Sequence, residues 1–166
     1  MGTELIDDRI IIKDEALASK LEQRGFGKLV EDRLELSLLE GLFLLERGTI
    51  SIREGERDIT PEDILQKVDK EEFMLRYGAY KDLRERGYIV KTGFKFGVHF
   101  RVYERGDYLD KHSTYLVHAV PESYTLSFPE LSRAVRLSQS VKKKMIFAVV
   151  DEEGGITYYT IDRISP

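Results

Sequence analysis

Two apolar runs with a helix between them constrain this chain more than any other feature. Residues 116–120 carry Leu116, Val117, Ala119 and Val120, and residues 145–150 read MIFAVV. Both have the β-favouring, apolar content of strands that a core buries. Between them, Ser127 and Glu130 have the spacing of a helix-starting capping box. Leu131, Ala134, Val135, Ser138 and Val141 then recur on one helical face. A strand, a crossover helix and a second strand predict an α/β arrangement with a mixed sheet over the second half. The chain's 166 residues suffice for one ordinary domain or two small ones.

The rest of the chain divides around that unit. Residues 5–13 read as one strand, 15–23 as a helix capped by Asp14, and 33–37 as a half-buried strand. Ser37 and Glu40 form a second capping box, and Gly48 ends that helix. Residues 49–53 predict a short strand. Thr60 and Pro61 open a further helix, with proline where a missing N–H is harmless. These pieces predict a small α+β domain over residues 1–70, with no chemistry of its own. Residues 71–86 predict a helix in which Phe73, Tyr77 and Tyr80 face a core or an interface. Strands follow at 88–91 and 98–103, and a last one at 156–164. The expected fold is therefore α+β / α/β, with the N-terminal domain followed by a mixed-sheet domain over 71–166.

Composition excludes several classes. Without cysteine there are no disulfides, thiolate metal sites or cysteine nucleophiles. No apolar run approaches the roughly 18 residues needed to cross a membrane. The N-terminus, MGTELIDDRIII, lacks the basic start of a secretory signal, so the expected location is cytoplasmic. A net charge of −4 argues against general nucleic-acid affinity. Its distribution argues otherwise. Residues 88–145 hold ten lysines and arginines against five acidic residues, a net +5 that leaves −9 for everything else. A basic segment in an acidic chain is compatible with local binding of a polyanion, and equally with solvated surface lysines.

Within that segment three residue types suit proton transfer. His112 stands between Lys111 and Ser113 at the mouth of the 116–120 strand. Such a histidine is held firmly and still meets solvent. Tyr103 lies upstream, and the run Lys142, Lys143, Lys144 lies downstream. His118, framed by Val117 and Ala119, has a second reading as a satisfied core residue, and a two-histidine metal site is a further alternative. No glycine loop has phosphate-binding spacing and no serine sits in a nucleophile elbow. The residues alone leave an acid–base site beside basic residues, with no metal and no cofactor expected.

The segments YGAYKDLRERGYIVKTGFKFGVHFRVYERG, KHSTYLVHAVPE and LSRAVRLSQSVKKKMIFAVVDEEGGITYYTI closely resemble the catalytic domain of archaeal and eukaryotic tRNA-splicing endonucleases. The stretch LSLLEGLFLLERGTIS is similar to that family's N-terminal domain. The resemblance implies a catalytic trio of Tyr103 in FRVYERG, His112 in KHSTYLVH and Lys143 in SVKKKMIFAVVD. Lys142 stands where the family often has arginine. It implies excision of introns from precursor tRNA by cutting both sites of a bulge–helix–bulge motif. The reaction is a metal-independent transesterification leaving 2′,3′-cyclic phosphate and 5′-hydroxyl ends. Tyr103 would take the 2′-hydroxyl proton, His112 would protonate the departing 5′-oxygen, and Lys143 would stabilise charge on phosphorus. A free tyrosine ionises near pH ~10 and is a poor base at neutrality, so a nearby cation has to assist it, a second task for Lys143.

Substrate binding by the family implies two arginines around a flipped base. Arg136 matches the helix position, and Arg163 is the candidate for the second. The acidic turn Asp151, Glu152, Glu153 resembles the loop that such subunits insert into a basic groove of a partner. The implied assembly is a homotetramer, or a heterotetramer with a related subunit. A non-catalytic assembly subunit and an RNA-binding module without chemistry are the alternative functions.

Overall fold

The computed structural model describes residues 2–104 and 113–166. The chain divides into two compact units, Met1–Phe73 and Met74–Pro166.

In the first unit the residues read as one opening strand form a hairpin. β1 (Thr3–Ile6) and β2 (Arg9–Ile12) pair antiparallel around Asp7, whose φ is 56°. A two-residue acidic turn inside an apolar run is what hid this hairpin from pattern reading. α1 (Glu15–Gln23) follows, with Asp14 accepting from the Leu17 N–H. β3 (Lys28–Val30), missed in the sequence, pairs with β4 (Arg33–Leu36). α2 (Leu38–Glu46) starts with the Ser37–Glu40 capping box that its spacing predicts. The strand expected over 49–53 is displaced. Two-residue strands β5 (Arg53–Glu54) and β6 (Arg57–Asp58) stand there instead, because Ile50 and Ile52 are buried outside the ladder. α3 (Pro61–Leu65) is capped by Thr60 and closed by Asp63. The sheet order is β3-β4-β2-β1-β5-β6, and Ile10, Ile12, Leu34, Leu36, Leu42 and Ile64 form its buried centre.

The second unit is the strand–helix–strand arrangement extended on both sides. α4 (Lys70–Glu85), which crosses the division between the units, leads into β7 (Ile89–Thr92). A single 3₁₀ turn, Phe94–Phe96, precedes β8 (Phe100–Tyr103). β9 (Tyr115–Pro121), α5 (Phe128–Ser140), β10 (Lys144–Val150) and β11 (Ile156–Ile161) complete it. The sheet order is β11-β10-β9-β8-β7. β9 and β10 run parallel and every other neighbour antiparallel, so the sheet is mixed and α5 is its crossover helix. Side chains alternate between the two faces. Leu116, Met145 and Phe147 point to the face packed by Ala134, Leu137 and Val141 of α5. Phe100 points to the other face, its ring 6.0 Å from that of Tyr80 on α4. Among the described residues, no helix is long and apolar enough to cross a membrane.

Candidate active site

Tyr103 ends β8, and strand period 2 puts it on the same face as Arg101. Its ring is buried, at 6% exposure. The Arg101 guanidinium lies against it: Nη1 donates to the Tyr103 hydroxyl oxygen at 2.8 Å, and the guanidinium carbon is 5.8 Å from the ring centre. Arg101 is itself held, since Nε donates to the carbonyl oxygen of Thr92 at 3.0 Å.

Lys143 reaches the same neighbourhood because α5 stops abruptly. The Lys143 N–H bonds the Ser138 carbonyl and the Lys142 N–H bonds that of Gln139. Lys142 adopts the left-handed conformation, φ 57°. This is a Schellman stop, with lysine in the place glycine usually takes. The chain turns directly into β10, where the Lys144 N–H donates to the Thr114 carbonyl. Lys143 then extends back to the start of β9, its Nζ donating to the Ser113 carbonyl oxygen at 2.8 Å. The same ammonium lies 5.8 Å from the Phe96 ring centre. Burial, followed by the positive charges of Arg101 and Lys95, pushes Lys143 below the ordinary lysine range.

The start of β9 joins the two. The Thr114 N–H bonds the Val102 carbonyl, beside Tyr103, and Ser113 receives Lys143. Ser113 is buried at 6% exposure. His112, its chain neighbour, lies outside the described residues. Lys143 therefore reaches the start of β9 with its ammonium, and Tyr103 adjoins that segment through the backbone of Val102, with Arg101 donating to its hydroxyl. Such a set can move a proton and hold an anion.

The arginines expected to bind a base are placed apart. Arg136 is exposed on α5, its Nη2 donating to Ser132 Oγ at 3.3 Å. It lines an open concavity of about 670 Å³ with Pro129, Ser132, Arg133, Leu137 and Ser140. Arg163 is exposed beyond β11, and no described contact joins the two. In the acidic turn, Asp151 is engaged internally, accepting from the Glu153 and Gly155 N–H groups at 2.9 and 2.8 Å. Glu152 and Glu153 are exposed.

His118 is not the satisfied core residue that one reading proposed. Its Nδ1 is buried without a hydrogen-bond partner, and its ring stacks on His99 with centres 4.0 Å apart. Among the described residues, no group of three or more histidines and carboxylates is arranged to hold a metal ion. Sequence reasoning missed Arg101. The alternation in FRVY places it on the Tyr103 face and was the available signal.

The chain is similar to known proteins over most of its length. The family described as tRNA intron endonuclease, catalytic C-terminal domain, matches residues 73–158. The tRNA intron endonuclease N-terminal domain matches residues 1–65. The chain is 47% identical to the tRNA-splicing endonuclease of Thermococcus gammatolerans, over 95% of each chain. It is 41% identical to that of Methanothermobacter thermautotrophicus, over 98% of this chain and 97% of the relative. A tRNA-splicing endonuclease from Methanosarcina acetivorans is 44% identical over 96% of this chain but only 47% of its own length.

Proposed function

The chain belongs to the tRNA intron endonuclease family, and we propose that it excises introns from precursor tRNA by cutting both sites of a bulge–helix–bulge motif. The meeting of the strand segment that bears Tyr103 with the Lys143 ammonium at the start of β9 supports this reading.

The reaction is an internal transesterification that needs no metal. Tyr103, as phenolate, takes the proton of the 2′-hydroxyl. The 2′-oxygen forms its bond to phosphorus while the bond from phosphorus to the 5′-oxygen breaks. His112 gives its proton to the departing 5′-oxygen. Lys143 stabilises the charge gathered on the phosphoryl oxygens. The products are a 2′,3′-cyclic phosphate and a 5′-hydroxyl. Arg136 and Arg163 flank a flipped bulge base. The chain works as a homotetramer or with a related subunit, and the acidic turn makes the subunit contact through Glu152 and Glu153, with Asp151 shaping it.

The test is cleavage of a bulge–helix–bulge RNA by the purified chain in EDTA, beside His112→Ala. Cutting by the wild type alone, with cyclic-phosphate ends, is expected. Cleavage that requires an added divalent ion, or that leaves 5′-phosphate ends, overturns the mechanism.

A further inference from the structure

Arg101 has no part in the reaction as written above, yet it donates directly to the Tyr103 hydroxyl. We propose that Arg101 is a positioning residue that acts through Tyr103, fixing the phenol oxygen where the 2′-hydroxyl proton is taken up. The inference rests on the reading that Tyr103 takes the 2′-hydroxyl proton.

Two observations carry it. The first is direction. Arg101 Nη1 donates to the Tyr103 oxygen at 2.8 Å, so the phenol must turn its own O–H elsewhere. The second is rigidity. The Thr92 carbonyl on the neighbouring strand holds Nε at 3.0 Å. The guanidinium is thus fixed at two points, which the planar fork of arginine permits and the single ammonium of lysine does not.

The experiment is single-turnover cleavage of a bulge–helix–bulge RNA between pH 6 and 10 by wild type, Arg101→Met, Arg101→Lys, Tyr103→Phe and the Arg101→Met/Tyr103→Phe double variant. RNA affinity is measured alongside. Arg101→Met is expected to slow cleavage about 10–100-fold at pH 7, the size of a lost charged hydrogen bond, with affinity within about threefold. Arg101→Lys, which keeps a cation, should fall between, and guards against misfolding of the methionine variant. The double variant should be no slower than Tyr103→Phe, because the two residues act as one unit. A defect that adds to that of Tyr103→Phe, or an affinity loss as large as the rate loss, overturns the inference while leaving Tyr103 as the base. Full activity of Tyr103→Phe overturns the reading beneath it.

Discussion

Lys143 and Ser113 stand thirty residues apart and are joined by a 2.8 Å hydrogen bond from ammonium to carbonyl oxygen. The bond exists because β9 and β10 run parallel, with Lys144 beside Tyr115, so both strand entrances lie at the same edge. In the proposed reaction that ammonium sits where charge develops. Lys143→Met should reduce the cleavage step about 10²–10³-fold, the usual loss for one such donor. The salt dependence of RNA affinity should also lose about one unit of slope if the ammonium meets a phosphate. Single-turnover rates and a salt titration test both parts.

Lys142 stores strain beside the same site. Its φ of 57° places a side-chain-bearing residue in the left-handed region, at a cost of about 1 kcal/mol. Lys142→Gly removes that strain but frees the unfolded chain, so stability should stay within about 1 kcal/mol of wild type. Lys142→Val puts a β-branched residue in this conformation and should cost about 1–2 kcal/mol. Urea midpoints of the two variants decide it. Equal midpoints would mean that the helix ends differently in solution.

Local features of this fold are written in adjacent residues and were legible. The Ser37–Glu40 and Ser127–Glu130 boxes both cap helices, because cap and partner are three residues apart. The crossover unit was legible too, since its strands are apolar throughout and its helix has one packed face. Short pairings were not. The β1–β2 hairpin turns on Asp7 and Asp8 with no glycine or asparagine to mark it, and β3 is exposed at every position. At the site, the residue types were readable while their partners were not. Lys143 finds Ser113, and Arg101 finds Thr92, through strand pairing between distant segments. Arg101 donates to the Tyr103 hydroxyl at 2.8 Å, a contact that the FRVY alternation signals only as a shared face.

Tyr158 on β11 donates to Asp82 Oδ2 on α4 at 2.6 Å, and Arg86 Nε donates to the same oxygen at 2.9 Å. Burial, then the hydrogen bond to Asp82 and its charge, push the phenol far above the ordinary tyrosine range. The folded protein therefore keeps this proton where the unfolded chain gives it up. Its contribution is complete below pH ~10 and declines as pH rises past that value. Tyr158→Phe should lose roughly 1 kcal/mol at neutral pH and show a shallower alkaline decline. Thermal melts from pH 8 to 11 measure this. An unchanged alkaline limb would assign it to other tyrosines.

His118 should govern the mildly acidic limb of stability. Its ring stacks on His99 with an interplanar angle of 17° and meets Phe147 edge-on. His99 uses Nδ1 to accept the Ala119 N–H at 3.0 Å. Burial pushes His118 below the ordinary histidine range. Glu130, Arg133 and Tyr124 line the same cavity of about 220 Å³, but the Glu130 carboxylate is already taken by the Tyr124 hydroxyl and the Ser127 cap. Folding therefore holds His118 uncharged, while the unfolded chain binds a proton near pH ~6.5. The fold loses no stability to this group above that value, and loses it progressively as pH falls below. Glu130 is pushed below the ordinary carboxylate range by the Tyr124 and Ser127 hydrogen bonds, so its loss begins only in more acidic solution and the two windows separate. Urea midpoints from pH 8 to 5 should fall for wild type below pH ~6.5 and stay level for His118→Leu, which leaves no buried nitrogen to protonate. If the leucine variant keeps the wild-type slope, the proton taken up on unfolding belongs to another histidine.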